Sequence, residues 1–221
     1  MQKLIVNEIF LSINGETSST GMPTTFIRLA GCNLDCWGGC DTTYALDQAA
    51  GQEMALEEIL AKVKALGCPR ICLTGGEPLL DRELSIELLK ILLDNGFLEI
   101  SVETNGSVNL ASFKERFTQV RFTMDLKTPS SGMDTQMLMD NLRLLTSNDE
   151  IKFVIANEVD FSWALERIEQ YQPKAQILFS PMYEKLNSSK LVDWVLKAKL
   201  WSARVQVQLH KYIWSPDKKG V

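Results

Sequence analysis

The stretch from Gly31 to Thr42 reads GCNLDCWGGCDT and decides how the rest of this chain is interpreted. It contains Cys32, Cys36 and Cys40, with three residues between each pair. The intervening glycines, asparagine and aspartate favour turns, so this stretch is predicted to be a loop. A loop can wrap three thiolates around one centre, which indicates a metal site.

The number of cysteines bears on the kind of metal site. Structural zinc takes four protein ligands, and Cys68, Cys72 or the single histidine, His210, could complete such a set. A 4Fe–4S cluster also takes four ligands, so three cysteines leave one iron open to a substrate or cosubstrate. The spacing alone leaves iron–sulfur, zinc and unligated buried thiols as alternatives.

Composition limits the class of protein. A chain of 221 residues with 45% apolar content is expected to form one soluble domain. A net charge of -5 without a long basic run argues against a nucleic-acid partner. We expect no signal peptide and no membrane partner, because no apolar run is long enough. The expected location is the cytoplasm, where five cysteines act as ligands or buried thiols.

Hydrophobic periodicity predicts alternating strands and helices. Predicted strands cover 4–10, 24–29, 70–73, 99–103, 121–126, 151–155, 176–180 and 204–209. Predicted helices cover 55–66, 81–95, 135–145, 161–171 and 188–200. This alternation indicates a parallel sheet with helical crossovers, and the helices are too few for a closed eight-unit barrel. The expected fold class is therefore α/β, a partial (β/α)6-like barrel in a single domain.

Polar motifs follow three predicted strands directly. They are the cysteine loop, the segment 74–78 (TGGEP) and the segment 104–107 (TNGS). The carboxyl ends of parallel strands lie on one face, so these motifs are expected to meet at one mouth. Gly75 and Gly76 allow close backbone approach, and Glu77 offers a carboxylate to an ammonium group, although such a segment alone is also a common turn. Arg28, inside an apolar strand, is expected to meet a carboxylate of the protein or of a ligand.

The cysteine loop and the TGGEP segment together resemble the radical S-adenosylmethionine (SAM) superfamily. Enzymes of that superfamily hold a 4Fe–4S cluster on three loop cysteines and bind SAM at the open iron. The resemblance implies that Cys32, Cys36 and Cys40 ligate the cluster and that 74–77 forms part of the SAM site. It also implies a fold of the radical SAM type.

Further motifs resemble one family in that superfamily, the 7-carboxy-7-deazaguanine synthases of queuosine and 7-deazapurine biosynthesis. The matching segments are 12–16 (SINGE), 26–29 (FIRL), 40–42 (CDT), 103–106 (ETNG) and 208–212 (QLHKY). The implied activity is a lyase reaction that converts 6-carboxy-5,6,7,8-tetrahydropterin to 7-carboxy-7-deazaguanine with loss of ammonia. A radical derived from SAM removes the C6 hydrogen. The resemblance also implies an external electron donor such as flavodoxin, a homodimer, and a core domain over 1–221 with short substrate-pocket extensions at both ends.

The same resemblance implies the remaining site residues. Arg28 would clamp the substrate carboxylate, and Glu16 and Glu103 would accept from its guanidine-like edge. Thr42 would bind Mg2+, and a turn hydroxyl is its alternative role. The implied substrate contacts are Ile13, Asn14, Gly15, Glu16, Arg28, Thr74, Glu103 and His210. The implied SAM contacts are Gly39, Asp41, Gly76, Glu77, Asp125, Leu126, Lys127, Phe179, Ser180, Pro181 and Met182. For Lys127 a surface lysine, and for His210 an ordinary buried histidine, are the alternatives.

The chain departs from the family pattern in three places. The family leaves three and then two residues between its cysteines, whereas this chain leaves three and three, and the pair Gly38–Gly39 can absorb the extra residue. Asn14 and Thr17 replace the usual glutamine and glycine, and the tail 214–221 runs past the end of some members. Two other functions remain alternatives at this point: a glycyl-radical-enzyme activase and a zinc-stabilised, non-enzymatic binding module.

Overall fold

One sheet organises the described part of the computed structural model, which covers residues 3–37, 40–215 and 218–221. In chain order the strands are β1 (Lys3–Ile13), β2 (Pro23–Leu29), β3 (Gln52–Ala55), β4 (Arg70–Gly75), β5 (Glu99–Thr104), β6 (Arg121–Asp125), β7 (Glu150–Ile155), β8 (Gln176–Pro181) and β9 (Arg204–Val205). The helices are α1 (Leu56–Leu66), α2 (Arg82–Asp94), α3 (Ala111–Arg116), α4 (Asn141–Leu144), α5 (Glu158–Tyr171), α6 (Ser188–Lys197) and α7 (His210–Ile213).

The sheet is parallel except at one edge. Its order is β3-β1-β2-β4-β5-β6-β7-β8-β9, and only β1 is antiparallel to its neighbours β2 and β3. Within the described residues β9 does not pair with β3, so the sheet stays open, as the predicted partial barrel requires. The register sets Arg28 beside Thr74 and Asp125 beside Lys152, which brings polar side chains of neighbouring strands together.

Helices form where apolar spacing and end signals agree. In α1, Leu56, Ile59 and Val63 are buried on one face, and Gly67 ends the helix at φ +69°. Asp81 caps α2 by accepting from the Leu84 N–H at 3.1 Å. No helix in the described ranges combines the length and the apolar character that a membrane crossing demands.

The core lies between the helices and the sheet and contains several stacked aromatic rings. Phe153 stacks on Phe179 with ring centroids 5.5 Å apart, and Phe161 contacts the same ring at 5.4 Å. Burying one such ring contributes about 1.5–3 kcal/mol to stability. This packing fixes β7 and β8, whose other faces and ends reach the polar mouth of the sheet.

The predicted helix over 135–145 is wrong. Single turns of 3-10 helix occupy Pro129–Ser131 and Asp134–Gln136, and α4 covers only four residues. Tertiary hydrogen bonds override the helical pattern here, because the Leu138 N–H donates to Gly106 O at 3.0 Å. The Asn141 amide also donates to Val108 O at 2.8 Å, and its oxygen accepts from the Leu110 N–H at 3.0 Å.

The predicted strand over 204–209 is too long. After Val205 one more hydrogen bond, from the Gln206 N–H to Phe179 O at 2.9 Å, follows the sheet before the chain leaves it. The Leu209 N–H then donates to Gly15 O at 2.9 Å, which carries α7 over the mouth of the sheet. The short elements β3, α3 and α7 were not predicted.

Candidate active site

A cleft of about 610 Å³ opens at the carboxyl ends of the parallel strands. Arg28 at the end of β2, Thr74 on β4, Glu103 on β5 and Asp125 on β6 all line it, so the prediction of one shared mouth is confirmed. The other predicted site residues on its wall are Ile13, Asn14, Gly15, Glu16, Cys36, Cys40, Asp41, Thr42, Gly76, Leu126, Lys127, Met182 and His210.

The cysteine loop forms one side of the cleft. The Cys32 N–H donates to Leu46 O at 3.0 Å, and the Trp37 N–H donates to Ser131 O at 2.9 Å. Cys36 and Cys40 line the cleft, whereas Cys32 lies behind it, where the Asn105 amide donates to its sulfur at 3.7 Å. The cysteine loop therefore presents two thiols to the cleft and holds the third against the loop that follows β5.

The three loop thiols are free cysteines. Across residues 3–37, 40–215 and 218–221, no three Cys, His, Asp or Glu side chains are close enough together to hold a metal ion. Burial raises the pKa of Cys36 and Cys40, while Lys127 opposes the shift. Coordination deprotonates thiols, so binding a metal centre here would release protons. Gly39, a predicted SAM contact, lies outside the described residues.

The cysteines proposed as a fourth zinc ligand lie elsewhere. Cys68 is buried before the amino end of β4, where its thiol donates to Pro23 O at 3.4 Å. Strand β4 spans roughly 20 Å, because each strand residue rises roughly 3.3 Å, and the cysteine loop is at its other end. Cys72 is fully buried within β4, and its pKa is raised well above the ordinary value by burial. Neither thiol reaches the loop.

The glycine pair allows the end of β4 to lie against the cysteine loop. A Cβ on Gly75, whose φ is +148°, would lie 2.2 Å from Leu29 O, and one on Gly76 would lie 2.2 Å from Gly31 O. The Glu77 N–H also donates to Gly31 O at 2.8 Å. The glycines do allow a close approach, as predicted, but what approaches them is the chain's own backbone at the wall of the cleft.

Replacing Gly76 with alanine is expected to displace the cysteine loop. The new Cβ would meet backbone atoms that cannot move aside, and overpacking costs ~1–3 kcal/mol. Iron content and SAM affinity, measured by metal analysis and calorimetry, are expected to fall, the affinity by about tenfold or more. Gly96→Ala is the control, because at φ +86° its Cβ strains the backbone but meets open space after α2, so iron content and SAM affinity should match wild type. A Gly76→Ala protein with full iron and unchanged SAM affinity would contradict this prediction.

Glu77 does not offer its carboxylate to the cleft, so this part of the sequence interpretation is wrong. The side chain is buried and accepts from the Leu79 N–H at 3.0 Å, the Thr104 hydroxyl at 2.9 Å and the Asn105 N–H at 2.6 Å. Burial raises its pKa to about 7, although these donors favour the ionised form. Glu77 joins the loops after β4 and β5 and so shapes the wall of the cleft.

The raised pKa of Glu77 predicts a pH dependence of stability. Folded protein binds this proton more tightly than unfolded chain, so stability falls as pH rises from about 4.5 to about 7. The slope from one such group is at most ~1.4 kcal/mol per pH unit. Wild type should lose stability relative to Glu77→Gln between pH 5 and 7, measured by thermal unfolding of metal-free protein. The exposed Glu115→Gln is the control, and an unchanged difference across this window would be the contrary result.

A cluster of opposite charges faces the cysteine loop. The Lys152 ammonium lies 2.9 Å from Glu16 Oε2 and 3.2 Å from Asp125 Oδ2, and the Lys127 ammonium lies 3.1 Å from the same Asp125 oxygen. Glu103 accepts from the Thr74 hydroxyl at 3.1 Å, and burial raises its pKa. Burial opposes the charge on Lys152, but Asp125 and Glu16 hold its pKa well above the ordinary value.

Lys152 was missed in the sequence, although a signal was present. It stands inside the apolar strand β7 between the buried residues Ile151 and Phe153. The argument that made Arg28 conspicuous, a cation in an apolar strand, applies equally to Lys152. Alternation along β7 directs Lys152 to the cleft and its neighbours to the core.

Arg28 is held in a fixed orientation by three side chains. Its Nε donates to Glu8 Oε1 at 2.8 Å, and the Tyr44 hydroxyl donates to the same oxygen at 2.9 Å. The guanidinium lies 5.7 Å from the ring centroids of both Phe10 and Tyr44. Burial raises the pKa of Tyr44 to about 12, so its hydroxyl remains a donor. Of the two partners expected for Arg28, the carboxylate of the protein is Glu8, which takes Nε, and Arg28 also lines the cleft.

The loop after β1 and helix α7 meet over the cleft. A Cβ on Gly15 would lie 2.2 Å from His210 Nδ1, so only glycine permits this approach. Asn14 closes a turn by accepting from the Glu16 N–H at 3.0 Å. Burial lowers the pKa of His210, which favours the neutral imidazole. The segment therefore presents Glu16 and His210 on the same wall.

Asp41 and Thr42 lie together at the cleft, but their surroundings differ. The Asp41 carboxylate accepts from the Gln208 amide and the Lys211 ammonium, which ties the cysteine loop to the carboxyl-terminal segment. Thr42 precedes a turn of 3-10 helix, and its side chain is only partly buried on the cleft wall. Asp41 is thus engaged within the protein, while Thr42 lines the cleft.

Of the SAM contacts predicted on β8, Phe179 is fully buried in the aromatic core and does not face the cleft. Ser180 is also buried, but it pairs with Val154, which lines the cleft. Alternation therefore turns Ser180 toward the cleft side of the sheet, where its hydroxyl has no partner within the described residues, and its contact with SAM stays a prediction, as does that of Pro181. Met182, one residue beyond the strand, is the member of this segment that lines the cleft.

These features define a class of protein. A three-cysteine loop after one parallel strand, a Gly-Gly-Glu segment after the next and an open α/β sheet are the hallmarks of a radical SAM enzyme. The family model of the Radical SAM superfamily matches residues 26–172. This family implies a 4Fe–4S cluster and SAM as cofactors, and the donor chemistry of the three loop thiols, two of which line the cleft, suits the cluster.

The similarity extends to particular relatives over nearly the full length. The 7-carboxy-7-deazaguanine synthase of Clostridium acetobutylicum is 39% identical over 219 residues, covering 98% of this chain and 98% of that protein. The protein of the same name from Leptospira interrogans is 40% identical, with 99% and 98% covered. This chain belongs to the 7-carboxy-7-deazaguanine synthase family.

A solved structure confirms the fold class. The crystal structure of QueE from Escherichia coli aligns with a TM-score of 0.76 at 23% sequence identity, covering 94% of this chain and 95% of that chain. At this identity the likeness concerns the fold. The expected α/β partial barrel of the radical SAM type is therefore confirmed.

Proposed function

We propose that this chain is a radical SAM lyase that converts 6-carboxy-5,6,7,8-tetrahydropterin to 7-carboxy-7-deazaguanine with loss of ammonia. The observation that carries the proposal is the composition of one cleft wall. Arg28 lines the cleft with its Nε held by Glu8, and Glu16 and Glu103 line the same cleft. A guanidinium and two carboxylates in one cleft complement a ligand that has an anionic carboxylate at one end and N–H donors at the other.

The substrate wall of this proposal consists of the loop after β1, Arg28, Thr74, Glu103 and His210. Arg28 would pair with the substrate carboxylate through its terminal nitrogens. Glu16 Oε1 is buried and has no hydrogen-bond partner within the described residues, so it is a ready acceptor for an N–H group of the pterin. Neutral His210 would close this wall and exclude water from the reacting carbon.

The SAM wall consists of the cysteine loop, Gly76 and the segment after β6. Cys32, Cys36 and Cys40 would hold the cluster, which supplies the electron that cleaves SAM reductively when an external donor reduces it. Asp125 Oδ1 is buried without a partner in the described residues and can accept from a ligand donor group. Leu126, Lys127 and Met182 complete this wall.

Mg2+ is proposed as a further cofactor, with Thr42 as its protein ligand. Mg2+ prefers oxygen ligands and keeps several waters, so one hydroxyl on an open wall suits it. The Thr42 side chain lies on that wall two residues after Cys40. The substrate carboxylate would share the ion and thereby be oriented between Thr42 and Arg28.

Four further features belong to the same proposal. The electron donor is an external protein such as flavodoxin, the assembly is a homodimer, and the location is the cytoplasm. The whole chain, 1–221, forms one radical SAM core whose two ends build the substrate pocket; the contact between Gly15 and His210 supports this arrangement. Membership of the synthase family argues against a glycyl-radical-enzyme activase and against a non-enzymatic zinc module.

An anaerobic turnover experiment tests the function. Reconstituted protein is mixed with reductant, SAM, Mg2+ and 6-carboxytetrahydropterin, and products are followed by mass spectrometry. We expect 7-carboxy-7-deazaguanine to form in excess over 5'-deoxyadenosine, because loss of ammonia leaves the conversion redox-neutral and the abstracted hydrogen atom has to return to the product radical. Formation of 5'-deoxyadenosine alone would preserve the radical SAM chemistry and overturn the substrate. An intact cluster with neither product would overturn the proposal as a whole.

A further inference from the structure

Lys152 occupies the boundary between the two walls of the cleft. Its ammonium contacts Glu16 at 2.9 Å on the substrate wall and Asp125 at 3.2 Å on the SAM wall. Its side chain is 12% exposed, and those of Glu16 and Asp125 are 13% and 20% exposed. Pairing of Asp125 with Lys152 in the parallel register fixes this bridge at the ends of β6 and β7.

Each of the two carboxylates uses one oxygen for Lys152 and keeps the other free. Glu16 Oε1 and Asp125 Oδ1 are both buried and have no hydrogen-bond partner within the described residues. A buried acceptor without a partner is costly, and a ligand that donates to it removes that cost. One lysine therefore links the open acceptor of one wall to that of the other.

Lys152 is the ammonium that Glu16 and Asp125 share, and its charge also acts on Glu103. Lys127 contacts Asp125 alone, and Arg28 is paired with Glu8. Without Lys152, Glu16 would lose its ion-pair partner, and the nearby Glu103 would lose a positive charge that lowers its pKa. Buried carboxylates this close together cannot all remain ionised, so one of them would take up a proton and accept less well.

We propose that Lys152 is a positioning residue that couples the binding of SAM to the binding of the pterin. The first ligand to bind orders the chain from Glu16 through Lys152 to Asp125, and the second ligand meets an acceptor that is already oriented. The ordering cost is thus met once, which makes binding cooperative. This inference rests on the proposed function, since it takes a pterin as the occupant of the substrate wall.

Calorimetry on the holoenzyme without reductant tests the coupling apart from turnover. SAM is titrated in the absence and the presence of saturating 6-carboxypterin, with Mg2+ throughout, and the ratio of the two Kd values is the coupling factor. We expect about a fivefold or larger factor in wild type, the lower end of ordinary coupling. In Lys152→Met the coupling factor should be at least about fivefold smaller than in wild type, which brings it to about one if the wild-type factor is about five. Lys152→Arg retains the positive charge, so its coupling factor should lie closer to that of wild type than the coupling factor of Lys152→Met does.

Two other lysines serve as comparisons. Lys127→Met should weaken SAM binding but keep the coupling factor, because Lys127 contacts Asp125 and not Glu16. Lys174→Met, at an exposed position before β8, should leave both ligands and their coupling unchanged. Circular dichroism and iron content establish that each variant is folded and loaded, and Lys152→Gln replaces the methionine variant if that one does not fold.

The outcomes separate this inference from the proposed function. A wild-type factor of about one overturns the coupling without any variant, and so does a Lys152→Met factor that stays within about twofold of wild type. Pterin binding without coupling leaves the proposed function standing. Failure of wild type to bind 6-carboxypterin at all overturns both, and the turnover experiment then shows whether the radical chemistry remains.

Discussion

Cys36→Ala is expected to abolish cleavage of SAM altogether. A 4Fe–4S cluster that leaves one iron open needs all three loop thiolates, and alanine removes the middle one. Cys36 lines the cleft directly and carries no other role in the described structure that would explain such a loss. Iron per chain should fall sharply after anaerobic reconstitution, and 5'-deoxyadenosine should be undetectable by chromatography in the presence of reductant and SAM.

Cys68→Ala is the matched control for this experiment. It removes a thiol of the same chain, but one that lies before the amino end of β4 and donates only to Pro23 O. Iron content and SAM cleavage should therefore match wild type in this variant. Retained cleavage in Cys36→Ala, or an equal loss of iron in both variants, would remove the basis for assigning the cluster to the loop.

The convergence of the site could be predicted because it follows from chain topology. Parallel strands direct their carboxyl ends to one face, so motifs that follow Leu29, Leu73 and Glu103 must meet there whatever the details of packing. The cap at Asp81 and the glycine stop at Gly67 are equally local features, because each depends on one residue at the end of a helix. Such features depend on short sequence patterns and one general rule of topology.

The errors arose where tertiary contacts override local pattern. The segment 135–145 has apolar residues at helical spacing, yet the side chain of Asn141 bonds the backbone after β5 and limits the helix to one turn. Glu77 looked like a free carboxylate, although the Leu79 N–H, the Thr104 hydroxyl and the Asn105 N–H were already directed at it. Phe179 sits near a strand end, and only packing shows that its ring belongs to the core.

Residues that act through others are also difficult to find in a sequence. Glu8 and Tyr44 orient Arg28 from positions 20 and 16 residues away, and neither belongs to a motif. Lys152 binds Glu16 across 136 residues of sequence. Their importance comes from geometry, because a carboxylate or ammonium becomes part of the site only when the sheet brings it within about 3 Å of another charge.

Arg28→Ala is expected to weaken substrate binding strongly while leaving SAM cleavage intact. A charge-assisted hydrogen bond is worth about 1.5–3 kcal/mol, so Kd for the pterin should rise by about 10-fold to 150-fold. Because the substrate no longer sits against the radical source, 5'-deoxyadenosine should form in excess over 7-carboxy-7-deazaguanine. Calorimetry with 6-carboxypterin and the ratio of the two products measure these effects separately.

Two further variants test whether the loss of pterin affinity comes from the pairing of Arg28 with the substrate carboxylate. Arg28→Lys keeps the charge but cannot bond Glu8 through Nε while offering a second pair of donors to a carboxylate, so it should recover only part of the affinity. Arg70→Ala removes an arginine of similar burial at the amino end of the same sheet, where it pairs with Glu99, and should leave pterin binding unchanged. Unchanged affinity in Arg28→Ala would mean that Arg28 serves only its internal pair with Glu8, and the carboxylate of the substrate would have to be held by Thr42 and its proposed metal ion alone.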